Sequence, residues 1–270
     1  MRGALLKLLR WRLALLNGVS ALSGYLLFPG VVEISYVLAA FAGTVLLAGA
    51  GSAFNQVMER DLDQMMERTK GRPLPTGAMP VVTALCIGIT VMLGGMVWLA
   101  QVGGAAPMLI GAAALAWYLA VYTPLKRRTS MALPLGALCG ALPPLIGWAL
   151  AGGGLSDHRI LILVGVMFLW QIPHFWLLQR RHSTDYRRAG IPLCEDKTGN
   201  SRPHLFTLWI IALVTGAMML PLFGIIQQQR TVLYGLFLLP LLLSGLLTSE
   251  KSRFVCLNLF PMLLTLAIWW

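Results

Sequence analysis

Apolar residues run along this chain in long unbroken stretches, without the period of 2 or 3.6 that marks a strand or helix half exposed to water. The stretches fall near residues 13–30, 34–56, 81–101, 105–122, 132–151, 160–179, 204–226, 232–248 and 254–270, separated by short polar segments. Each approaches the roughly 20 residues that an α-helix needs to cross a hydrocarbon layer about 30 Å thick. The pattern therefore predicts an all-α polytopic membrane bundle of about nine transmembrane helices, forming one integral-membrane domain over residues 1–270. The first stretch follows Arg2, Lys7, Arg10 and Arg12, as a signal peptide would. Its apolar run is long, however, and no small-residue cleavage pattern follows, so it is read as the first helix.

Composition agrees with this reading. Hydrophobic residues make up 57% of the chain and charged residues 11%, too little polar surface to coat a globule in water. The placement of charge adds an orientation. With the N-terminus cytoplasmic, only Arg159 and Arg230 of the 21 Lys and Arg residues fall on the outer side, as the positive-inside rule requires. The C-terminus is then periplasmic, with Trp269 and Trp270 at the outer interface, where indoles favour the headgroup region. The net charge of +11 sits in short loops beside the membrane, which implies contact with anionic membrane lipid and no nucleic-acid partner. Cys86, Cys139, Cys194 and Cys256 are scattered without metal or disulfide spacing.

The acidic residues are also one-sided, and topology does not explain that, because Asp and Glu contribute little to it. Eight of the ten lie on the inner side, with Glu33 and Asp157 outside. The densest group is NQVMERDLDQMMERTKGRPLP, from Asn55 to Pro75. Asn55, Glu59, Asp63 and Glu67 recur every fourth residue, so a continued helix would carry them in one row, about 6 Å apart. Like charges at that spacing repel, and such a row suits a cation: carboxylate and amide oxygens match Mg²⁺, which completes its shell with water and substrate phosphates. Arg60, Arg68, Lys70 and Arg72 beside them suit the phosphates. The competing reading is a solvated loop whose acids pair with those same cations.

Two further features favour the site. Small residues AGAGSA, at 48–53, precede the row and leave room for close helix packing or a ligand. A second acidic loop, with Asp185 among Arg180, Arg181, Arg187 and Arg188, follows the sixth predicted helix, which runs in the same direction as the second. Both loops are thus expected on one face. A third polar element, YTPLKRRT, brings Tyr122, Lys126 and Arg127 to that face as a candidate diphosphate clamp.

These segments, with GALPPLIGW at 140–148, WQIPHFWLLQ at 170–179 and DYRRAGIP at 185–192, resemble the UbiA superfamily of intramembrane prenyltransferases, in its heme-using branch. The resemblance spans most of the chain. It implies a helical bundle around a central apolar cavity in a bacterial cytoplasmic membrane, with the active site on the cytoplasmic side. It also implies Mg²⁺-dependent ionisation of farnesyl diphosphate and transfer of the farnesyl group to a vinyl group of heme b, with water addition giving heme O. By position, Asn55, Glu59 and Asp63 match the first metal-binding motif, Asp185 the second, and Lys126 with Arg127 the diphosphate contacts. Arg60, Arg68, Tyr122 and Tyr186 are further substrate-binding candidates. Glu59 departs from the Asp of many relatives. The second acid of the Asp185 motif is replaced by Ala189, so that Asp185 acts alone or with Tyr186, Glu195 or Asp196. Partners implied downstream are a heme A synthase or terminal oxidase assembly.

His174 lies within the sixth predicted helix beside Pro173. A buried, hydrogen-bonded histidine is one reading; with heme as the implied substrate, axial ligation of its iron is the other. Trp170, Phe175 and Trp176 either pack the helix or present π faces to a polyprenyl cation. The rival functions are a prenyltransferase acting on an aromatic quinone precursor, a transporter and a purely structural subunit. A transporter would place ionisable groups near mid-membrane, and here nearly all sit at one interface.

Overall fold

The structure, a computed structural model, describes residues 2–193, 203–246 and 249–269, and every regular element among the described residues is helical. In order these are α1 (Arg2–Leu8), α2 (Trp11–Leu27), α3 (Ile34–Met58, with a π-helical stretch at Ala39–Gly43), α4 (Arg60–Met65), α5 (Val81–Gly103) and α6 (Ala105–Leu125). They continue as α7 (Ala132–Leu150, two segments meeting at Leu142), α8 (His158–Arg181), α9 (Ser183–Arg188), α10 (Pro203–Met219), α11 (Thr231–Phe237), α12 (Leu239–Leu246) and α13 (Glu250–Trp269).

Seven of these are long and apolar enough to cross a membrane: α3, α5, α6, α7, α8, α10 with the turn that follows it, and α13. The chain is therefore a multi-pass membrane protein. The count of about nine reduces to seven full-length spans among the described residues. The first expected span is helical as α2 but only 17 residues long. The run expected at 232–248 is divided at Leu238 into α11 and α12, and Pro240, which lacks the N–H that would continue the helical ladder, falls in the first turn of α12, where proline is tolerated. Cys194, Glu195, Asp196 and Trp270 lie outside the described residues.

Two buried apolar clusters hold the bundle. The larger joins α8, α10 and α13 through residues such as Ile160, Leu163, Leu213, Leu257 and Phe260. The smaller joins α2, α3, α5 and α7 through Tyr25, Ala39, Ala40, Leu47, Leu99, Ile146 and Leu150. Between helices in lipid there is little hydrophobic drive, so close packing must supply the attraction. The α2–α7 crossing does so backbone to backbone: a Cβ on Gly24 would overlap the main chain of Pro144, and one on Gly147 would overlap the Ala21 carbonyl.

Both α3 and α8 deliver their C-terminal ends to the same polar end of the bundle. There the loop after α3 touches the loop after α8, because the backbone N–H groups of Glu67 and Arg68 donate to Asp185. The expectation that the two acidic segments share one face holds in the structure.

The α2–α7 seam yields a direct test. Gly24→Ala forces backbone apart and is expected to cost about 3 kcal/mol, lowering the thermal midpoint in detergent by roughly 10 °C. Gly165→Ala, where an added Cβ meets nothing within 4 Å, is expected to leave the midpoint unchanged. Equal midpoints for the two variants would show that the crossing is not limited by those backbones.

Candidate active site

The helices enclose a chamber of about 320 Å³ lined mainly by apolar side chains, with its charged groups gathered at the polar end. The walls come from α2, α3, α6, α7, α8 and α13. Two glycines of α7 set its width: Gly136 faces the ring of Tyr122, and Gly140 faces the Gln171 amide, each too closely for a Cβ. These two glycines thus let large side chains of α6 and α8 turn inward against a flat wall.

At the chamber mouth Asn55, Glu59 and Asp63 are 3%, 2% and 1% exposed, values almost never seen for carboxylates without partners. The expected row is present but does not lie on one straight helix. The helix breaks at Glu59 (φ −116°, ψ 21°) and resumes as the short α4. The bonds Glu59 N–H to Asn55 O (2.9 Å) and Asp63 N–H to Glu59 O (2.8 Å) carry the four-residue spacing through the break. Because α4 ends at Met65 and Met66 is extended, Glu67 leaves the row. It sits at the surface, paired with Lys70 at 2.6 Å and Arg188 at 3.9 Å.

Glu59 and Asp63 each have a cation. Lys126 Nζ lies 2.6 Å from Glu59 and 5.4 Å from the centre of the Tyr122 ring. Burial pulls the Lys126 ammonium below its ordinary pKa, and Glu59 opposes that pull. Arg72 Nη1 donates to both oxygens of Asp63, at 2.8 and 2.7 Å. Glu59 Oε1 remains buried with no hydrogen-bond partner, an oxygen available to a cation. The Asn55 amide donates to Thr123 Oγ1 at 3.3 Å, and that hydroxyl donates to the Tyr118 carbonyl at 2.8 Å. The side chain is thereby fixed to the wall opposite its own helix.

Arg68 lies at the mouth with its guanidinium 6.0 Å from the Tyr186 ring, and both residues line the chamber. Arg127 and Arg60 do not line it. Arg127 turns outward to Asp61, with two contacts of 2.9 Å, and to the Met58 carbonyl at 2.7 Å; these bonds hold the Asp61 carboxyl below its ordinary pKa. Arg60 is exposed. Two other cations line the chamber: Arg72, one of the four residues expected to suit the phosphates, and Arg10, treated in the sequence as a topology anchor. Arg10 lines the chamber, and its backbone is left-handed (φ 46°, ψ 52°), the one non-glycine residue with positive φ among those described. Such a conformation costs roughly 1–2 kcal/mol and concentrates at functional sites.

Asp185 is buried but does not line the chamber. Its two carboxylate oxygens accept the N–H groups of Glu67 and Arg68, each at 3.1 Å. A short helix, α9, points the carboxylate at the backbone of the other acidic loop, where it holds Arg68 in place.

His174 lines the chamber from α8, between the rings of Trp170 (centroids 4.9 Å apart) and Phe254 (5.4 Å). It is hydrogen-bonded to Asn258, and its Nδ1 is buried without a partner. Asn258 is itself anchored through Nδ2 to the Phe254 carbonyl at 2.5 Å. Trp170 donates to the Leu257 carbonyl at 2.7 Å, which ties α8 to α13. Trp176 packs away from the chamber, edge-on to Phe206. Among the described residues no three His, Cys, Asp or Glu side chains converge tightly enough to hold a metal by themselves.

Comparison with known proteins matches residues 18–267 to the model of the UbiA prenyltransferase family. A protein of Geobacter sulfurreducens named protoheme IX farnesyltransferase is 51% identical over 97% of each chain. One of the same name from Oleidesulfovibrio alaskensis is 40% identical, over 82% of this chain and 78% of the relative. Among solved structures, a UbiA homolog from Aeropyrum pernix superposes with a TM-score of 0.78 at 18% identity, covering 96% of this chain and 97% of that one. A UbiA homolog from Archaeoglobus fulgidus bound to GPP and Mg²⁺ gives 0.73 at 16% identity, covering 98% and 96%.

The Asp185 clasp is testable by proteolysis. Asp185→Ala removes two charge-assisted hydrogen bonds, and trypsin is expected to cut after Arg68 or Lys70 roughly tenfold faster, with Asp185→Asn in between. Cleavage at the original rate in Asp185→Ala would leave the carboxylate without a role in holding the loop.

Proposed function

The chain belongs to the UbiA prenyltransferase family, and on that premise we propose that its chamber transfers the farnesyl group of farnesyl diphosphate to a vinyl group of heme b. Water addition then gives heme O. The observation that carries this reading is the pairing of buried acids with inward-facing cations at the mouth of an apolar chamber. Relatives at 51% and 40% identity named as heme farnesyltransferases support heme as the acceptor.

The residues fit Mg²⁺, which takes one or two protein carboxylates and fills its shell with water and phosphate oxygens. Asn55, Glu59 and Asp63 would hold it, with Glu59 Oε1 as the oxygen no protein group has claimed. When bound, the ion supplies positive charge to the leaving diphosphate. Lys126, Arg72, Arg68 and Arg10 stand where that negative charge develops. The C1–O bond breaks with its electron pair on oxygen. The vinyl π electrons then form the new C–C bond, the positive charge passes to the vinyl carbon next to the porphyrin, and water adds there with loss of a proton. The apolar walls keep water from C1 until that bond is made. Tyr118, Tyr122 and Phe175 present π faces below the mouth, suited to a passing cation. His174 Nδ1 is the nitrogen left for a heme iron, with Asn258 holding the rest of the ring. The polar end faces the cytoplasm of a bacterial inner membrane, in keeping with the one-sided Lys and Arg distribution.

Purified protein given heme b, farnesyl diphosphate and Mg²⁺ is expected to yield a porphyrin heavier by one hydroxyl-bearing farnesyl group, and none after chelation. Asp63→Asn is expected to lower the rate at least about 100-fold while the protein stays folded in membranes. Prenylation of 4-hydroxybenzoate in place of heme would overturn the acceptor assignment. His174→Ala is expected to weaken heme binding about tenfold and to shift its Soret band; an unchanged affinity and spectrum would reduce His174 to packing.

A further inference from the structure

The polar end of the bundle has a second cationic corner besides the one that holds Glu59 and Asp63. It lies where α8 meets α13, and there flat groups stack in a column. The Trp170 ring lies 4.9 Å from His174, His174 lies 5.4 Å from Phe254 of α13, and the Arg181 guanidinium lies 5.8 Å from the centre of the Phe254 ring. The α8 members of the column share one face of that helix. Arg181 follows His174 by seven residues, two turns or about 10 Å nearer the polar end.

The charges along this edge are divided among neighbours. Arg180 is paired with Glu250 in the first turn of α13, and Arg253 lies 6.0 Å from the centre of the Phe206 ring. Arg181 has the Phe254 ring, and among the described residues no carboxylate stands within ion-pair distance of it. Beside it His182 is held below its ordinary pKa, by burial first and then by the charges of Arg68 and Arg181. The corner favours an anion.

Protoporphyrin carries its polar and apolar substituents on opposite edges, two propionate carboxylates on one and two vinyl groups on the other. A carboxylate drawn into the apolar part of the chamber loses its hydration with nothing to replace it. A heme seated on His174 must therefore leave its propionate edge at the polar end. The seven bonds from the iron to a propionate oxygen advance about 8 Å, at about 3.5 Å per three bonds. The 5.4 and 5.8 Å steps of the column put the Arg181 guanidinium no more than about 11 Å from the centre of the imidazole. The difference is about the length of a charge-assisted hydrogen bond, and the flexible stem of arginine takes up the sideways offset of the iron.

The geometry points to Arg181 as the cation that binds a heme propionate. This inference rests on heme b being the acceptor seated at His174, and it adds an orientation to that reading. With the propionates held at the polar end, the vinyl edge turns into the apolar chamber, where Tyr122 and Phe175 line the wall.

The test is a pair of titrations into purified protein without prenyl diphosphate, one with ferric heme b and one with its dimethyl ester, in which both propionates are blocked. Binding is read from the Soret band. Arg181→Ala is expected to weaken heme b about tenfold and to leave the affinity for the ester within about twofold of the unmodified protein. Arg181→Lys, which keeps the charge without the planar fork, is expected to fall between. The Soret band of bound heme b is expected at one position in all three proteins, because the iron keeps its ligand. Arg181 is exposed, and thermal melting establishes that each variant is folded. Equal weakening of heme b and ester, unchanged heme b affinity, or a shifted Soret band in folded Arg181→Ala overturns the propionate contact while leaving heme as acceptor. Failure of the unmodified protein to bind either porphyrin overturns the heme reading on which the contact rests.

Discussion

Carboxylates out of water are the constraint around which this structure is arranged. Glu59 and Asp63 are almost fully covered, and an isolated ion in such a place is penalised by several kcal/mol even after relaxation. The fold meets that demand from a distance. Lys126 arrives from the end of α6 and Arg72 from the loop beyond α4, so three separate stretches of chain converge to neutralise two side chains. Removing one partner of a buried pair is far more damaging than removing both, because it strands the other charge. The same arrangement places positive groups where a diphosphate would bring negative charge, so the groups that make burial tolerable are also those the chemistry uses.

The apolar part of the chamber follows from a different demand. Helices in lipid attract one another through contact, and small residues permit contact. Gly24 and Gly147 allow α2 and α7 to touch along their backbones, while Gly136 and Gly140 leave space that Tyr122 and Gln171 occupy. A stripe of small residues on one helix therefore produces both a tight seam and a lined cavity, depending on whether backbone or side chain faces it.

Most of the architecture was legible because it is written in hydropathy, a property each residue carries alone. Lengths and placement of α3, α5, α6, α7, α8 and α13 follow from apolar run length. The site was legible where spacing survives local distortion: Asn55, Glu59 and Asp63 stay in register across the break at Glu59 because the four-residue hydrogen bonds persist. Glu67 was misplaced because nothing in the spacing marks where α4 stops. Arg127 turns outward for a related reason. Two adjacent cations, Lys126 and Arg127, cannot both point inward at the end of a helix, and which one does is settled by Asp61 and the Met58 carbonyl on another element. Asp185 reads as a ligand from its type, yet its partners are backbone amides, which sequence does not display. Arg10 was hidden because a left-handed backbone at arginine has no signature in composition.

The clasp between Asp185 and the loop after α4 joins residues 117 and 118 positions apart. A ribosome makes the first half of the bundle, with its acids and most of its cations, long before it makes the carboxylate that orders their loop. Biogenesis thus has a built-in sequence: the mouth takes its final shape only when α8 and α9 are in place. A chain interrupted before that point carries the charged residues without the geometry to use them.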